Sequence, residues 1–170
     1  NWGEGAHCFE SEDNTFEDNI VYNNWAVNVY LDNCPYAVVN RNLIYHTDES
    51  WDRPPGISLA DEHMDRPPGG SHHLTITNNM VSGGNRAFYF WLGDSGSGLK
   101  DTLIAYNTFA NSDNGANFQI DSGNHQNTRI ENNLFLEESS LPIANVVSDT
   151  GLSFSNNLWS KTPPSSVSGS

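Results

Sequence analysis

Basic residues are scarce in this chain, which has 7 Lys and Arg against 21 Asp and Glu and a formal net charge of −14. Nucleic-acid backbones are bound by clusters of cations, and anionic membrane surfaces attract the same kind of cluster. Apolar runs are also too short for a membrane-spanning helix, which needs about 20 residues. We therefore expect no nucleic-acid partner and no membrane insertion.

Cysteine is nearly absent, since the chain contains only Cys8 and Cys34. Two arrangements are open: a disulfide, or two reduced thiols of which one packs in the core and one lies in a turn. In the repeat described next, Cys8 falls within a strand and Cys34 falls just past the equivalent strand of the following copy. That register discourages a disulfide unless the turn folds back.

What the sequence has in place of these features is a six-residue phrase that occurs six times, at 16–21, 39–44, 76–81, 104–109, 130–135 and 154–159. In every copy an apolar residue lies three positions before a shared asparagine, and another lies two positions after it. These asparagines stand 23, 37, 28, 26 and 24 residues apart and are Asn19, Asn42, Asn79, Asn107, Asn133 and Asn157. A period in the twenties with β-branched and aromatic residues indicates one solenoid turn per repeat.

Each phrase is typical of a strand, a one-residue corner and a second strand, because Asn tolerates the left-handed backbone of a tight bend. Stacked corners would let each Asn amide donate to the next, forming an asparagine ladder.

The pattern, from about Gly5 to Trp159, resembles the right-handed parallel β-helix repeat of the pectate-lyase-like superfamily. The resemblance implies an all-β right-handed parallel β-helix of about six coils. It does not fix an activity, because the superfamily includes lyases, glycosidases, epimerases, phage tailspikes and adhesins.

Residues 1–160 are predicted to form one β-helix domain, and residues 161–170 form a Pro- and Ser-rich tail that is either a linker or a truncated further coil. Six coils at about 4.8 Å each make a rod of only about 30 Å. Because solenoid ends need covering, we expect a larger parent chain or end-to-end self-association. The polar, Asn- and Gly-rich, Lys-poor composition suits an extracellular protein, secreted or at the surface of a prokaryotic cell.

The strand before each phrase varies between coils and alternates strictly, so one face can be assigned to the core. Residues such as Phe88, Phe90 and Leu92 are predicted to point inward. The outward set forms one stripe of rings, amides and carboxylates: His7, Phe9, Asn28, Tyr30, Asp32, Ser58, Ala60, Tyr89, Trp91, Asn117, Gln119, Asp121 and Asn145. Rings stack on sugar faces and polar groups bind hydroxyls, so we expect a polysaccharide or another glycan as partner. Alternatively, the rings only cover one another across strands.

The third coil is the longest, and it carries the phrase Asp-Arg-Pro-Pro-Gly twice, at 52–56 and 65–69. Pro pairs followed by Gly make stiff, turned loops, and long ordered loops on a rigid scaffold are common positions for function. We expect the site between them, with Asp61 and His63 in acid–base roles and with Arg53 and Arg66 pairing with substrate charge. Local ion pairs within the loops are the alternative.

Three classes of function stay open. A lyase would neutralise a uronate with Ca²⁺ on Asp32, Asp61 and Asp121 and use His63 or Arg66 as base. A hydrolase would pair Asp61 with Glu62, Asp94 or Asp32. Neither the basic residues of pectate lyases nor the Asn-Thr-Asp, Asp-Asp and Gly-His-Gly motifs of polygalacturonases are recognisable. A non-catalytic adhesin or filament subunit is the third class.

Overall fold

The computed structural model describes residues 3–47 and 54–167, which wind into six coils of three short strands each. Strands from successive coils pair in parallel, in register, to form three six-stranded sheets. Sheet A contains β1 (Ala6–Phe9), β4 (Val29–Asp32), β7 (Ile57–Ala60), β10 (Phe88–Phe90), β13 (Phe118–Ile120) and β16 (Ala144–Val146). Sheet B contains β2 (Thr15–Glu17), β5 (Val38–Asn40), β8 (Thr75–Thr77), β11 (Leu103–Ala105), β14 (Thr128–Glu131) and β17 (Leu152–Ser155). Sheet C contains β3 (Ile20–Tyr22), β6 (Leu43–Tyr45), β9 (Met80–Ser82), β12 (Thr108–Ala110), β15 (Leu134–Leu136) and β18 (Leu158–Trp159).

The core is the column of inward side chains enclosed by the three sheets. Part of it is aromatic: Phe88 stacks on Phe118 with ring centroids 4.7 Å apart, and Phe109 stacks on Phe135 at 5.5 Å. Burial of such rings is the largest favourable contribution to folding. The predicted all-β parallel solenoid of about six coils is confirmed, and the described chain has a single 3₁₀ turn, Ser165–Val167, in place of any α-helix.

The asparagine ladder is present at the corner between sheets B and C. Five amide-to-amide hydrogen bonds of 2.9–3.1 Å connect Asn19 through to Asn157 in sequence order. From Asn42 to Asn157, each Oδ1 also accepts the backbone N–H of the preceding ladder residue, as Asn107 does from Asn79 at 2.9 Å. The amide further donates to a strand carbonyl, for example from Asn107 to Ile76 at 2.8 Å. One side chain per coil therefore satisfies several backbone groups that the corner would otherwise leave unpaired.

The corner itself differs from the prediction, because it contains two residues rather than one. The strands end before Asp18 and resume at Ile20 in the first coil, and the left-handed residue is Asp18, with φ of 58°, not Asn19. The same offset recurs in every coil, up to Asn156 with φ of 52°. The ladder asparagine keeps an ordinary backbone because its side chain must point inward to reach the next coil.

Three assignments of face were wrong. Asn28 and Asn117 lie immediately before β4 and β13 and are fully buried, whereas Leu92 follows the end of β10 and is 42% exposed. The two amides donate to the carbonyls of Tyr45 and Leu136, at 3.3 and 3.1 Å, and so connect the end of sheet C to the start of sheet A. Alternation holds only within a strand, and these residues stand just outside one.

Cys8 and Cys34 form a disulfide across two successive coils, with Cα atoms 6.1 Å apart. The sequence interpretation favoured reduced thiols and was wrong on this point. Cys34 follows β4 where Asn33, with φ of 55°, reverses the chain, so its side chain turns back toward the core. The turn that the prediction required for a bond is therefore present.

The described part of the tail packs on the last coil, where Val167 is buried in the core cluster. Neither that turn nor any other helix in the described residues is long and apolar enough to span a membrane. Residues 48–53, which include the predicted Arg53 and the first two residues of the phrase at 52–56, lie outside the described residues.

Candidate functional site

The outer face of sheet A carries two columns of side chains, because strand register aligns the outward residues of successive coils. One column runs His7, Tyr30, Ser58, Tyr89, Gln119 and Asn145. The neighbouring column contains Phe9, Asp32 and Ala60, and Trp91 and Asp121 follow the ends of the next two strands. The predicted stripe therefore exists, apart from Asn28 and Asn117, and its polar residues form two clusters.

The first cluster consists of His7, Tyr30, Asp32, Glu62 and Trp91. The Tyr30 hydroxyl donates to Oε1 of Glu62, and the side chain of Trp91 approaches the same hydroxyl. The Tyr30 ring stacks on His7 with centroids 5.1 Å apart. Asp32 lies beside them and accepts the backbone N–H of Glu62 at 3.0 Å. Two carboxylates, a phenol and an indole thus meet at one point on a rigid sheet.

Burial and the neighbouring carboxylate of Glu62 raise the pKa values of two groups in the first cluster. Burial raises the pKa of the Tyr30 phenol well above its usual range, and the hydrogen bond to Glu62 raises it further. Burial also raises the pKa of the Asp32 carboxyl, with a contribution from the charge of Glu62, although the Glu62 backbone N–H opposes the shift. A carboxyl with a raised pKa beside a second carboxylate is the environment in which one group can hold a proton that the other lacks.

The wall loop, residues 61–73, borders this cluster and is held in place by Asn33. The Asn33 Oδ1 accepts the backbone N–H groups of Glu62 and His63, at 3.0 and 3.2 Å. Its amide donates to the carbonyls of His63 and Gly69, at 3.0 and 2.9 Å. One buried side chain therefore connects the two ends of the loop, so the loop is an ordered wall as predicted.

The tip of the wall loop leans over the end of β1. Arg66 forms an ion pair with Glu10 at 3.2 Å, and the ring of His63 meets the exposed ring of Phe9 edge-on, with centroids 5.8 Å apart. A cavity of about 240 Å³ lies between residues 10–12 and Pro67–Pro68. The site therefore continues past the first cluster as a shallow groove.

The second cluster lies two to three coils further along the same face and consists of Arg86, Tyr89, Gln119 and Asp121. The Arg86 guanidinium lies 4.6 Å from the centroid of the Tyr89 ring and donates to Gln119 at 2.7 Å. Asp121 accepts from the Tyr89 hydroxyl at 3.0 Å and from the Gln119 amide at 2.9 Å. Burial, followed by the bond to Asp121, raises the pKa of the Tyr89 phenol.

Asp61, predicted to act in acid–base chemistry, is buried behind the wall loop. Its Oδ1 accepts the backbone N–H of Ser71 at 2.8 Å, and burial raises the pKa of its carboxyl. His63 faces Phe9 rather than Asp61, and Arg66 is paired with Glu10. The structure thus gives Asp61 a position inside the loop and leaves His63 and Arg66 at the groove.

The three carboxylates proposed to share Ca²⁺ are not brought together. Asp32 and Asp121 lie three coils apart, about 14 Å at the spacing of parallel strands, and Asp61 is buried and accepts from the backbone of Ser71. A bound Ca²⁺ needs ligand oxygens within about 2.6 Å. Across residues 3–47 and 54–167, no group of three or more His, Cys, Asp or Glu side chains could hold a metal ion.

Three residues of the site were not singled out by sequence reasoning: Asn33, Arg86 and, as a partner of Tyr30, Glu62. Asn33 gave a signal, because an asparagine just past a strand favours a left-handed reversal. Arg86 gave none, since an arginine in a turn has many possible partners. The Tyr30–Glu62 contact depends on where the wall loop folds, which spacing does not encode.

The chain belongs to the family described as right handed beta helix region, whose profile matches residues 1–159. The predicted right-handed parallel β-helix is thereby confirmed. Comparison with curated proteins and with solved structures returned no match.

Proposed function

We propose that this β-helix domain binds a glycan along the outer face of sheet A, beside the wall loop. The observation that supports this most is the first cluster. It places exposed Phe9 and partly exposed Trp91 on either side of the neighbouring carboxyl groups of Asp32 and Glu62, on a sheet whose strands pair in register. Rings stack on the apolar faces of sugars, and carboxylates accept hydrogen bonds from hydroxyls.

The charge of the molecule narrows the class of glycan. A net charge of −14 repels a polyanion at a distance, and the two arginines on this face are already paired, Arg66 with Glu10 and Arg86 with Gln119. The proposed ligand is therefore a neutral polysaccharide or oligosaccharide. A uronate polymer fits less well, because its carboxylates would meet Asp32 and Glu62.

The structure leads to a different assignment of the rings that stack on the sugar. Tyr30 is buried under Glu62, and one face of Tyr89 is covered by Arg86. We assign stacking to Trp91 and Phe9, and hydrogen bonding to the Tyr30–Glu62 and Tyr89–Asp121–Gln119 groups. His63 and Arg66 border the groove as substrate contacts.

The effect of replacing Trp91 on glycan binding tests this proposal. Glycan-array hits are measured by calorimetry with the wild-type chain, with Trp91→Ala and with Trp25→Ala, an exposed tryptophan before β4 that lies off the face. We expect Trp91→Ala to weaken binding about tenfold, the equivalent of about 1.4 kcal/mol, and Trp25→Ala to leave it unchanged. Absence of binding to any neutral glycan, or equal effects of the two variants, would contradict the proposal.

A hydrolase activity at the same site is the second candidate, and the juxtaposition of Asp32 and Glu62 favours it. Glycoside hydrolysis needs one protonated and one ionised carboxyl, and burial raises the pKa of Asp32 beside Glu62. A reducing-sugar assay on the bound glycan tests this with Glu62→Gln. Activity that is lost in this variant while binding is kept would establish it. Binding without turnover would place the chain with the adhesins or filament subunits.

We also propose that the domain is extracellular, secreted or at the surface of a prokaryotic cell. The Cys8–Cys34 disulfide supports this, since disulfides persist in oxidising compartments. End-to-end association of the solenoid, or extension by a longer parent chain, stays a proposal.

A further inference from the structure

The outer face of sheet C carries an apolar stripe that the glycan proposal does not use. Register aligns the first residue of each strand in one column: Ile20, Leu43, Met80, Thr108, Leu134 and Leu158. The five apolar members are between 36% and 67% exposed. Each follows a ladder asparagine directly, so the corner that buries the amide also directs the next side chain outward.

Sheet C is also uncharged, which is unusual in so acidic a chain. None of the residues in its six strands is charged. In the strands of three residues the third residue also faces outward, and in the first two strands it is Tyr22 and Tyr45, whose rings stack with centroids 5.1 Å apart and with planes 4° from parallel. Large exposed apolar patches on a folded protein mark interaction sites.

We infer that sheet C is the interface of a side-by-side homodimer, with a second copy of this chain as its occupant. The five apolar side chains expose roughly 500 Å² in one copy, at the upper end of the largest patch found on typical monomers. Two copies would bury roughly 1,000 Å² before Tyr22 and the flanking residues are added, and this reaches the size of a specific interface.

The uncharged strands of sheet C and symmetry both favour a second copy over a partner of another chemistry. A cationic partner would be drawn to the acidic faces, whereas two chains of net charge −14 repel each other least where they meet through strands without charge. A two-fold axis between Met80 and Thr108 sets Ile20 of one copy opposite Leu158 of the other. The same axis sets Leu43 opposite Leu134. The stripe is therefore self-complementary along its whole length, as a two-fold interface requires.

Measuring the oligomeric state of the wild-type chain and of variants with surface substitutions tests the inference. Sedimentation equilibrium of the wild-type chain is expected to show twice the 18.8 kDa of one chain. Met80→Glu combined with Leu134→Glu brings carboxylates into the interface and should weaken dimerisation about tenfold or more. Thr75→Glu, on the outer face of sheet B in the same coil as Met80, is the matched control and should leave the dimer intact.

A crosslink reports the geometry. Thr108→Cys lies beside the proposed axis and should form an interchain disulfide on mild oxidation, whereas Thr75→Cys should not. A monomer at concentrations of about 100 µM, or a dimer that the two glutamates leave unchanged, would overturn the inference. Crosslinking of both cysteine variants to the same extent would do so as well.

Discussion

Asn107 shows how much one side chain can do in a solenoid corner. It lies in the middle of the ladder, accepts from the backbone and amide of Asn79, and donates to Ile76 and to Asn133, all at 2.8–3.0 Å. A buried group left without its partner costs about 1–3 kcal/mol. An aliphatic residue of similar size would leave several such groups unpaired at once.

Asn107→Ala is therefore expected to lower the free energy of unfolding by about 3 kcal/mol, measured from urea denaturation curves. Asn19→Ala is the matched control. Asn19 ends the ladder at an exposed position and donates only to Asn42, so its loss should cost under about 1 kcal/mol. If the two variants lost similar amounts of unfolding free energy, the buried hydrogen bonds of Asn107 would contribute no more to stability than the exposed bond of Asn19.

His125 is a buried histidine whose effect on the pH dependence of stability can be assigned a sign. Its Nδ1 accepts the backbone N–H of Leu99 at 3.1 Å, so that nitrogen must be unprotonated, and Nε2 contacts the carbonyl of Asp121 at 3.0 Å. Burial lowers the pKa of His125 below its usual 6.5. Between the folded and unfolded pKa values the unfolded chain binds the proton, so the stability falls as the pH drops below about 6.5.

We expect the free energy of unfolding to fall between pH 7.5 and pH 5.5 by a larger amount in the wild type than in His125→Asn, whose Oδ1 can accept from Leu99 without titrating. Urea denaturation at a series of pH values measures the difference. Subtracting the profile of the variant removes the pH dependence that the two proteins share. Parallel pH profiles for the two proteins would show that His125 does not titrate with unfolding.

At the scale of elements, the wall loop depends on a residue outside it. Asn33 supplies four hydrogen bonds to residues 62–69 and stands at φ of 55°. Glycine adopts that backbone without cost, so Asn33→Gly removes the amide and keeps the turn. The loop would then be held by Asp61, Arg66 and its own turns, and local opening should become more frequent.

Limited proteolysis with a glutamate-specific protease checks this, because Glu62 is exposed within the loop. Cleavage at Glu62 is expected to be about tenfold faster in Asn33→Gly than in the wild type. Asn156→Gly is the control, since Asn156 has a similar φ of 52° at an exposed corner. Equal cleavage rates would show that the amide of Asn33 does not hold the loop closed.

The elements also show where prediction from the sequence succeeds and where it stops. The position of every corner between sheets B and C followed from the ladder asparagines, because a buried amide has few alternatives to pairing with the next coil. Which residue takes the left-handed backbone did not, since Tyr106 and Arg41 do so in place of asparagine. The disulfide and the Tyr30–Glu62 contact both depend on Asn33, whose reversal sets the path of the chain between coils.

The apolar stripe on sheet C was open to prediction in principle. An apolar residue follows the ladder asparagine in five of six copies, but hydrophobicity alone favours the core for such a residue. The length of the corner decides which residues of the next strand point outward, and with a corner of two residues Leu43 and Met80 do so. An error of one residue in the length of the corner assigns every side chain of the strand to the wrong face.

At the scale of the whole molecule, charge opposes compaction. A net charge of −14 on a folded chain of 170 residues produces self-repulsion that the extended chain relieves. The described ion pairs are surface contacts such as Arg41 with Asp18 and Arg66 with Glu10, and exposed pairs of this kind contribute little to stability. Salt screens the repulsion over about 10 Å at 0.1 M.

Stability should therefore rise with ionic strength, and Ca²⁺ should add nothing specific. The urea midpoint is expected to increase from 20 mM to 500 mM NaCl, conditions that span the useful range of screening lengths, about 20 Å to about 4 Å. Millimolar CaCl₂ and MgCl₂ at equal ionic strength should give equal midpoints, because Asp32, Asp61 and Asp121 lie too far apart to bind one ion. A midpoint that does not depend on NaCl would refute the repulsion argument. A larger midpoint in Ca²⁺ than in Mg²⁺ would restore the metal hypothesis with a different set of ligands.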